Sequence, residues 1–220
     1  MGPAGWYLGP VPEPAAEDLS LLDRWQGGDR AAGDQLFERH FAALFRFFRN
    51  KVGDAVAEDL TQTTFLACVD GRDRFRGSAS FRTYLFAIAR NQLLMHFRKK
   101  GTRDRVVELG THSVADLGAS PATVMGAKAE QKLLLAALRL IPVDFQIAIE
   151  LYYWEQLSTK ELAEVLEIPE GTVRSRLTRA REHLAKHIER LADSPAVLES
   201  TIGGLDNWAK SLQALFAGRD

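Results

Sequence analysis

LSTKELAEVLEIPEGTVRSRLTRAREHL, running from Leu157 to Leu184, holds two helical patterns separated by a short break. Ser158 is placed to cap the first, and Glu161 three residues on completes a capping box. Leu162, Ala163, Leu166 and Ile168 supply an apolar strip; Pro169-Glu170-Gly171 ends it, and Thr172 restarts a helix. Val173, Leu177, Ala180 and Leu184 then recur at i, i+4, i+7 and i+11, a stripe made for burial. Arg174, Ser175, Thr178, Arg179 and Arg181 fall on the remaining surface. A helix-turn-helix that lays its second helix in the DNA major groove has this layout. A solvated basic helix in an ordinary bundle is the competing reading.

Charge along the chain favours the first. The 220 residues carry a net charge of −1, an average that hides strong segregation. From Gly71 to Arg105 ten cations face only Asp73 and Asp104, a surplus of eight; from Gly171 to Arg190 six face Glu182 and Glu189, a surplus of four. Between Ile141 and Glu170 the sign reverses, with seven carboxylates against Lys160 alone. Screening confines each charge to about 8 Å at physiological salt, so local patches rather than the total govern phosphate contacts. Two basic patches predict two DNA contacts.

The same periodicity predicts an all-α chain of two small helical domains joined by a flexible linker, with a short C-terminal helical extension. Residues 1–17 read as a loose Gly/Pro-rich tail. In the first domain, 18–101, helices are expected from Asp18 to Gln26, from an Asp29 cap to Lys51, from Asp54 to Gly71 and from Phe81 to Lys100 with Ser80 as cap. Phe37, Phe41, Leu44, Phe45 and Phe48 are expected along the inner side of the second. Residues 102–126 lack periodicity and read as linker. The second domain, 127–191, is expected to hold a helix to Arg139, another from Pro142 to Tyr153, and the helix-turn-helix. In 192–220, Leu205, Trp208, Leu212, Leu215 and Phe216 form an apolar strip that must dock somewhere, as a packing extension or as a regulatory element acting in cis.

A second constellation lies in the first domain, where Arg72, Arg74, Phe75, Arg76, Phe81, Arg82, Tyr84, Phe86, Arg90, Asn91 and Arg98 mix cations, rings and an amide. Arginines suit a phosphate track and rings offer stacking surfaces to unpaired bases, a mixture fitted to opening DNA rather than a closed duplex. Helical spacing sends Phe81, Tyr84 and Phe97 inward; Phe75, in a loop among arginines, is expected exposed.

These words together resemble the sigma-70 family, and within it the extracytoplasmic-function (ECF) group, which retains only regions 2 and 4. AEDLTQTTF (Ala57–Phe65), DRFRG (Asp73–Gly77) and SFRTYLFAIARNQLLMHFRKK (Ser80–Lys100) carry the likeness in the first domain, and the helix-turn-helix carries it in the second. The resemblance implies a promoter-recognition subunit that does no catalysis and needs no metal or cofactor. Its implied partners are promoter DNA, core RNA polymerase through the β′ clamp helices and the β flap, and an anti-sigma factor in many members of the group. It implies that Asp59, Gln62 and Phe65 contact polymerase. Phe75, Arg76, Ser78, Ala79 and Asn91 would capture a flipped base of the −10 element, and Arg90, Arg98 and Lys99 would touch its phosphates. Arg174, Ser175, Thr178 and Arg179 would read the −35 element, with Thr172, Arg176 and Arg181 on its backbone. The chain departs from the family pattern at Thr63 (usually acidic), Tyr84 (often Trp), Met95 (often Asp) and Gln156 (commonly Gly).

Other classes explain less. A stand-alone dimeric helix-turn-helix regulator, dimerising through the last helix, leaves the arginine-aromatic patch without a use. An enzyme finds little support: His183 and His187 are spaced i, i+4 but lack the HExxH glutamate and a third ligand, and no phosphate loop or nucleophile elbow is present. MGPAGWYLGPVPEP has no basic start followed by an apolar run, and no apolar stretch approaches the ~18 residues that span a bilayer. The single Cys68, expected as a small buried residue, excludes an intramolecular disulfide. A cytoplasmic protein without membrane insertion is expected.

Overall fold

A computed structural model describes residues 14–75, 79–100 and 129–192. The expected tail to residue 13, the expected linker and the expected helix with Leu205, Trp208, Leu212, Leu215 and Phe216 lie outside the described residues. In order come α1 (Pro14–Gln26), α2 (Arg30–Arg49), α3 (Asp54–Gly71), a 3-10 turn (Arg72–Arg74), α4 (Phe81–Lys100), α5 (Ala129–Leu138), α6 (Val143–Ile149), a π-helical turn (Glu150–Trp154), α7 (Thr159–Leu166) and α8 (Glu170–Leu191).

Local chemistry sets the boundaries. Gly28, at φ 99°, turns the chain between α1 and α2. Asp29 then caps α2 by accepting from the Ala32 N–H at 3.2 Å and pairs with Arg24 at 2.6 Å. The helices cross tightly at Gly33, where a Cβ would stand 2.5 Å from the Trp25 ring. Ser80 caps α4, its Oγ accepting from the Thr83 N–H at 3.1 Å. Ser158 and Glu161 form the expected capping box on α7. Glu155 donates its N–H to the Glu150 carbonyl five residues back at 3.2 Å, the widened π geometry, and Gln156 follows in the left-handed region at φ 52°. The glycine common in the family at that position fits this conformation; Gln156 bears it with a side chain.

Several expectations need correction. α1 begins at Pro14, inside the stretch expected to be tail, because Leu21, Leu22 and Trp25 bury against α2 and order the turn before them. α8 begins at Glu170 rather than Thr172: α7 closes on Glu167 at φ 55°, so the turn is Glu167–Ile168, and Pro169 precedes the helix as a preset non-donor. Phe41 is 49% exposed instead of inward, since α2 already fills its core side with Leu36, His40, Leu44, Phe47 and Phe48. Phe86 is fully buried and offers no stacking face.

The two expected helical units share a core. One apolar cluster runs from Leu21, Leu36, Phe48 and Phe97 straight into Ile147, Leu151, Leu162 and Leu177. α4 lies against α7, and α6 lies against α8. Leu134, Leu138, Ile141, Leu184 and Ile188 form a satellite core where α5 meets α8. Two helical units are present, but they are packed on one another.

Candidate nucleic-acid and polymerase interface

α8 turns its apolar stripe inward, with Val173, Leu177, Ala180, Leu184 and Ile188 buried. Thr172, Arg174, Ser175, Thr178 and Arg179 are all exposed on the rest of the helix. Arg174 Nη2 donates to Glu170 Oε1 at 2.7 Å, and Thr159 Oγ1 on α7 donates to the same oxygen at 2.7 Å. Those bonds, Thr159's first, hold the Glu170 carboxyl below its ordinary value and tie the first turn of α8 to α7. Ser175 Oγ and Thr178 Oγ1 donate back to the Thr172 and Arg174 carbonyls at 3.0 and 3.1 Å. Both hydroxyls thereby keep their lone pairs free as acceptors. Arg176 and Arg181 flank the apolar stripe and are half-buried. Arg176 Nη1 donates to Asp144 Oδ2 on α6 at 3.2 Å, while Arg181 Nε is buried without a protein partner.

On α4, Asn91, Arg98 and Lys99 are exposed, whereas Arg90 is half-buried with Nη2 3.9 Å from Asp144 Oδ1. Ala79 is half-buried before α4; Arg76 and Ser78 lie outside the described residues. Phe75 is half-buried, not exposed as its loop position predicts. Its ring sits 4.7 Å from Tyr84, and Gln26 Nε2 on α1 donates to the Phe75 and Arg72 carbonyls, each at 3.0 Å. Tyr84 also lines an open cavity of about 450 Å³ with Ala67, Asp70, Gly71 and Ile88. At Gly71 the approach of α3 is close, since a Cβ there would stand 2.2 Å from the Tyr84 hydroxyl.

A third surface lies on α2 and α3. Asp59 and Gln62 are exposed, and the half-buried Phe65 stacks on Phe37 at 4.7 Å and lies 6.5 Å from Phe41. Leu66, 64% exposed, and Phe41 extend it into an apolar strip beside two polar side chains. The sequence reading missed both. Phe65 and Leu66 are neighbours on one helix, so only one of them turns towards the core. Cys68 is buried as expected, its thiol pushed up to about 12 by desolvation.

Residues 36–103 match the family description Sigma-70 region 2, and residues 131–184 match Sigma-70, region 4. The RNA polymerase sigma-H factor of Pseudomonas aeruginosa is 31% identical over 185 residues, covering 80% of this chain and 95% of that protein. The chain belongs to the sigma-70 family. The ECF RNA polymerase sigma-E factor of Haemophilus influenzae, 30% identical with 79% of this chain and 96% of that protein covered, places it in the extracytoplasmic-function group. Two solved structures share the fold. CnrH in complex with the cytosolic domain of CnrY has a TM-score of 0.59 at 24% identity, covering 81% of this chain and 99% of that one. RpoE in complex with the anti-sigma factor NepR from Bartonella quintana has a TM-score of 0.57 at 23% identity, covering 73% and 98%. A sigma factor serves transcription initiation, recognising promoter DNA together with RNA polymerase.

In this sigma factor an ionic layer lies between region 2 and region 4, and the sequence reading missed it. Lys51, at the end of α2, is fully buried; it pairs with Glu150 and donates to the Phe47 carbonyl at 2.8 Å. Burial pulls the Lys51 ammonium down and the Glu150 carboxyl up, and their mutual attraction opposes both shifts. Arg46 Nη2 meets Glu155 Oε1 at 2.6 Å. Arg82 is largely buried, with Nε and Nη2 lacking a hydrogen-bond partner; desolvation pulls its pKa down against the charges of Glu155 and Glu161. Burial also raises Glu161, but bonds from the Ser158 N–H and hydroxyl outweigh it and keep that carboxyl low. The same Glu161 accepts from Ser80 and Thr83 on α4, each at 3.3 Å. The available signal was the charge reversal of 141–170 against the basic block of 71–105.

His183 stands 5.3 Å from the Phe145 ring, a packing contact. Among the described residues no group of three metal-ligating side chains converges, and no helix is long and apolar enough to cross a membrane.

Proposed function

We propose that this ECF-group sigma factor delivers core RNA polymerase to promoters through three surfaces of the one chain. Asp59, Gln62 and Phe65, with Leu66 and Phe41 beside them, bind the β′ clamp helices, and region 4 docks on the β flap. Arg174, Ser175, Thr178 and Arg179 read bases of the −35 element, with Thr172, Arg176 and Arg181 on its phosphates. Phe75, Arg76, Ser78, Ala79 and Asn91 hold a base flipped from the −10 element, while Arg90, Arg98 and Lys99 follow the strand. Domain bounds of 18–101 and 127–191 go with this reading, as do a tail at 1–17, a linker at 102–126 and an extension at 192–220.

The observation that carries it is the α8 face, where two arginines and two acceptor hydroxyls share one exposed surface on a helix locked to its predecessor by Glu170. Arginine pairs with guanine O6 and N7, and each good bidentate contact discriminates by about 1–3 kcal/mol. Unstacking a base costs a few kcal/mol, which the Phe75–Tyr84 pair and its neighbouring cavity are placed to offset. The protein itself performs no covalent step and acts in the cytoplasm. RpoE from Bartonella quintana, a sigma factor that shares the fold, is bound to the anti-sigma factor NepR, which supports an anti-sigma factor as a further partner.

Transcription in vitro with core enzyme on a promoter library tests this. Wild-type protein should select a two-part motif. Arg174→Ala should relax preference in the upstream part alone and leave core binding intact. Relaxed preference in both parts, or in neither, would refute the assignment of α8.

A further inference from the structure

One side chain of α1 reaches the turn that carries Phe75. Gln26, the last residue of α1, places Nε2 3.0 Å from the Arg72 carbonyl oxygen and 3.0 Å from the Phe75 carbonyl oxygen. Two acceptors on one side of the amide call for its nitrogen, whose two N–H groups can serve both. The Arg72 carbonyl also accepts from the Phe75 N–H at 3.2 Å, so the 3-10 turn closes on the oxygen that Gln26 holds. Phe75 then leaves the turn in an extended conformation, at φ −72° and ψ 112°.

The end of α1 is a firm seat for such a grip. Trp25, beside Gln26, is buried; its ring meets Phe37 edge-on at 5.1 Å and lies close against α2 at Gly33. The Arg72 guanidinium sits over the same Trp25 ring at 5.8 Å, a cation–π distance. From the opposite side the Tyr84 ring holds the Phe75 ring at 4.7 Å. The two contacts do different work. Ring against ring leaves the Phe75 backbone free to turn, whereas a bond to its carbonyl fixes the orientation of that peptide. A binding residue whose backbone is already set loses less conformational freedom when it takes its ligand. α1 carries no DNA-contacting residue in the functional reading, yet it sets the backbone of one.

We propose that Gln26 is a positioning residue for promoter opening: its amide presets the backbone at Arg72 and Phe75, so that the Phe75 ring stands ready to take an unpaired base. This role rests on the reading of Phe75 as a residue that holds the base flipped from the −10 element. Gln26 itself touches no DNA. Its effect is confined to the single-stranded −10 sequence and to the choice of base there, and it leaves duplex recognition by α8 and the hold of core polymerase on α2 and α3 untouched.

Holoenzyme assembled from core polymerase and each full-length variant tests it. The probe is a fluorescein-labelled single strand carrying the non-template −10 sequence selected in the promoter-library transcription, together with strands substituted at its most discriminating position. Gln26→Glu keeps the shape of the side chain, removes the donors and sets a carboxylate against two carbonyls. Gln26→Met keeps the length and removes the donors without adding charge. Both should weaken binding of the selected strand on the order of tenfold, as the loss of two neutral hydrogen bonds allows, and flatten the discrimination between bases. Affinity for a −35 duplex fragment should not change. Arg24→Ala breaks the Arg24–Asp29 pair at the same helix end without touching the amide, and should match the wild type throughout.

Wild-type affinity and discrimination in both Gln26 variants overturn the proposal. A loss confined to Gln26→Glu overturns it too, because charge rather than donation then explains the effect. An equal loss on the −35 duplex, or a loss as large in Arg24→Ala, marks a general loosening of the fold and also counts against it. Should Gln26→Glu fail to fold, Gln26→Met decides, since it adds no charge at a half-buried position. Phe75→Ala is titrated in parallel. Wild-type binding by Phe75→Ala removes the base-capturing reading and the role of Gln26 with it. Impaired binding by Phe75→Ala beside unaltered Gln26 variants leaves that reading standing and removes the positioning role alone.

Discussion

Gln156 and Glu167 show how single positions record the cost of a tight turn. Both are non-glycine residues in the left-handed region, at φ 52° and 55°, flanking α7 at its two ends. That conformation costs a side-chain-bearing residue roughly 1–2 kcal/mol. Gln156→Gly should therefore raise stability by about 1 kcal/mol, after subtracting the entropy glycine adds to the unfolded chain, and urea denaturation measures it. Asp18 gives a pH signature. Burial pushes its carboxyl up, but bonds and charges from His40 (2.7 Å) and Arg39 (3.0 Å) outweigh that and hold it below its ordinary value of 3.8. A folded-state pKa below the unfolded one means the stabilisation is fully present above 3.8 and fades as pH falls through the folded value. Denaturant midpoints of wild type and Asp18→Asn should differ near neutrality and converge in acid; a constant gap at all pH values would show that the pairing contributes nothing.

At the scale of elements, α8 separates two kinds of side chain. Leu177→Ala should cost 2–5 kcal/mol and melt region 4, because Leu177 is 2% exposed within the shared core. Arg179→Ala, on the exposed side, should leave the melting curve within about 0.5 kcal/mol of wild type while lowering −35 discrimination. Circular dichroism and promoter competition read the two effects independently. What was legible in the sequence of this element was what local rules govern: the Ser158–Glu161 box, the inward stripe, and the exposure of Arg174, Ser175, Thr178 and Arg179. The half-burial of Arg176 and Arg181 was not legible, because they border the stripe and Asp144, on another helix, decides which way Arg176 pairs. Phe75 failed for a similar reason. Its loop composition suggested exposure, while the Tyr84 ring and the Gln26 amide that secure it come from α4 and α1. Phe41 failed because α2 carries more apolar residues than one buried face accepts.

Across the described residues, the helices and their bounds within a few residues followed from periodicity and capping. The packing of region 2 on region 4 did not. The opposite charges of residues 71–105 and 141–170 were visible, but which carboxylate meets which arginine depends on contacts across about 50 to 110 residues, such as Lys51–Glu150 and Arg46–Glu155. Such pairs are set by tertiary geometry and leave no periodic trace. The proposal that RNA polymerase holds this chain through the α2–α3 face has a direct consequence in solution. A titration of core RNA polymerase into labelled protein, followed by fluorescence anisotropy, tests it most directly. The wild type is expected to show saturable one-to-one binding, and Asp59→Lys/Gln62→Lys to weaken it markedly with helical content unchanged. No binding by the wild type, or equal binding by the variant, would contradict it.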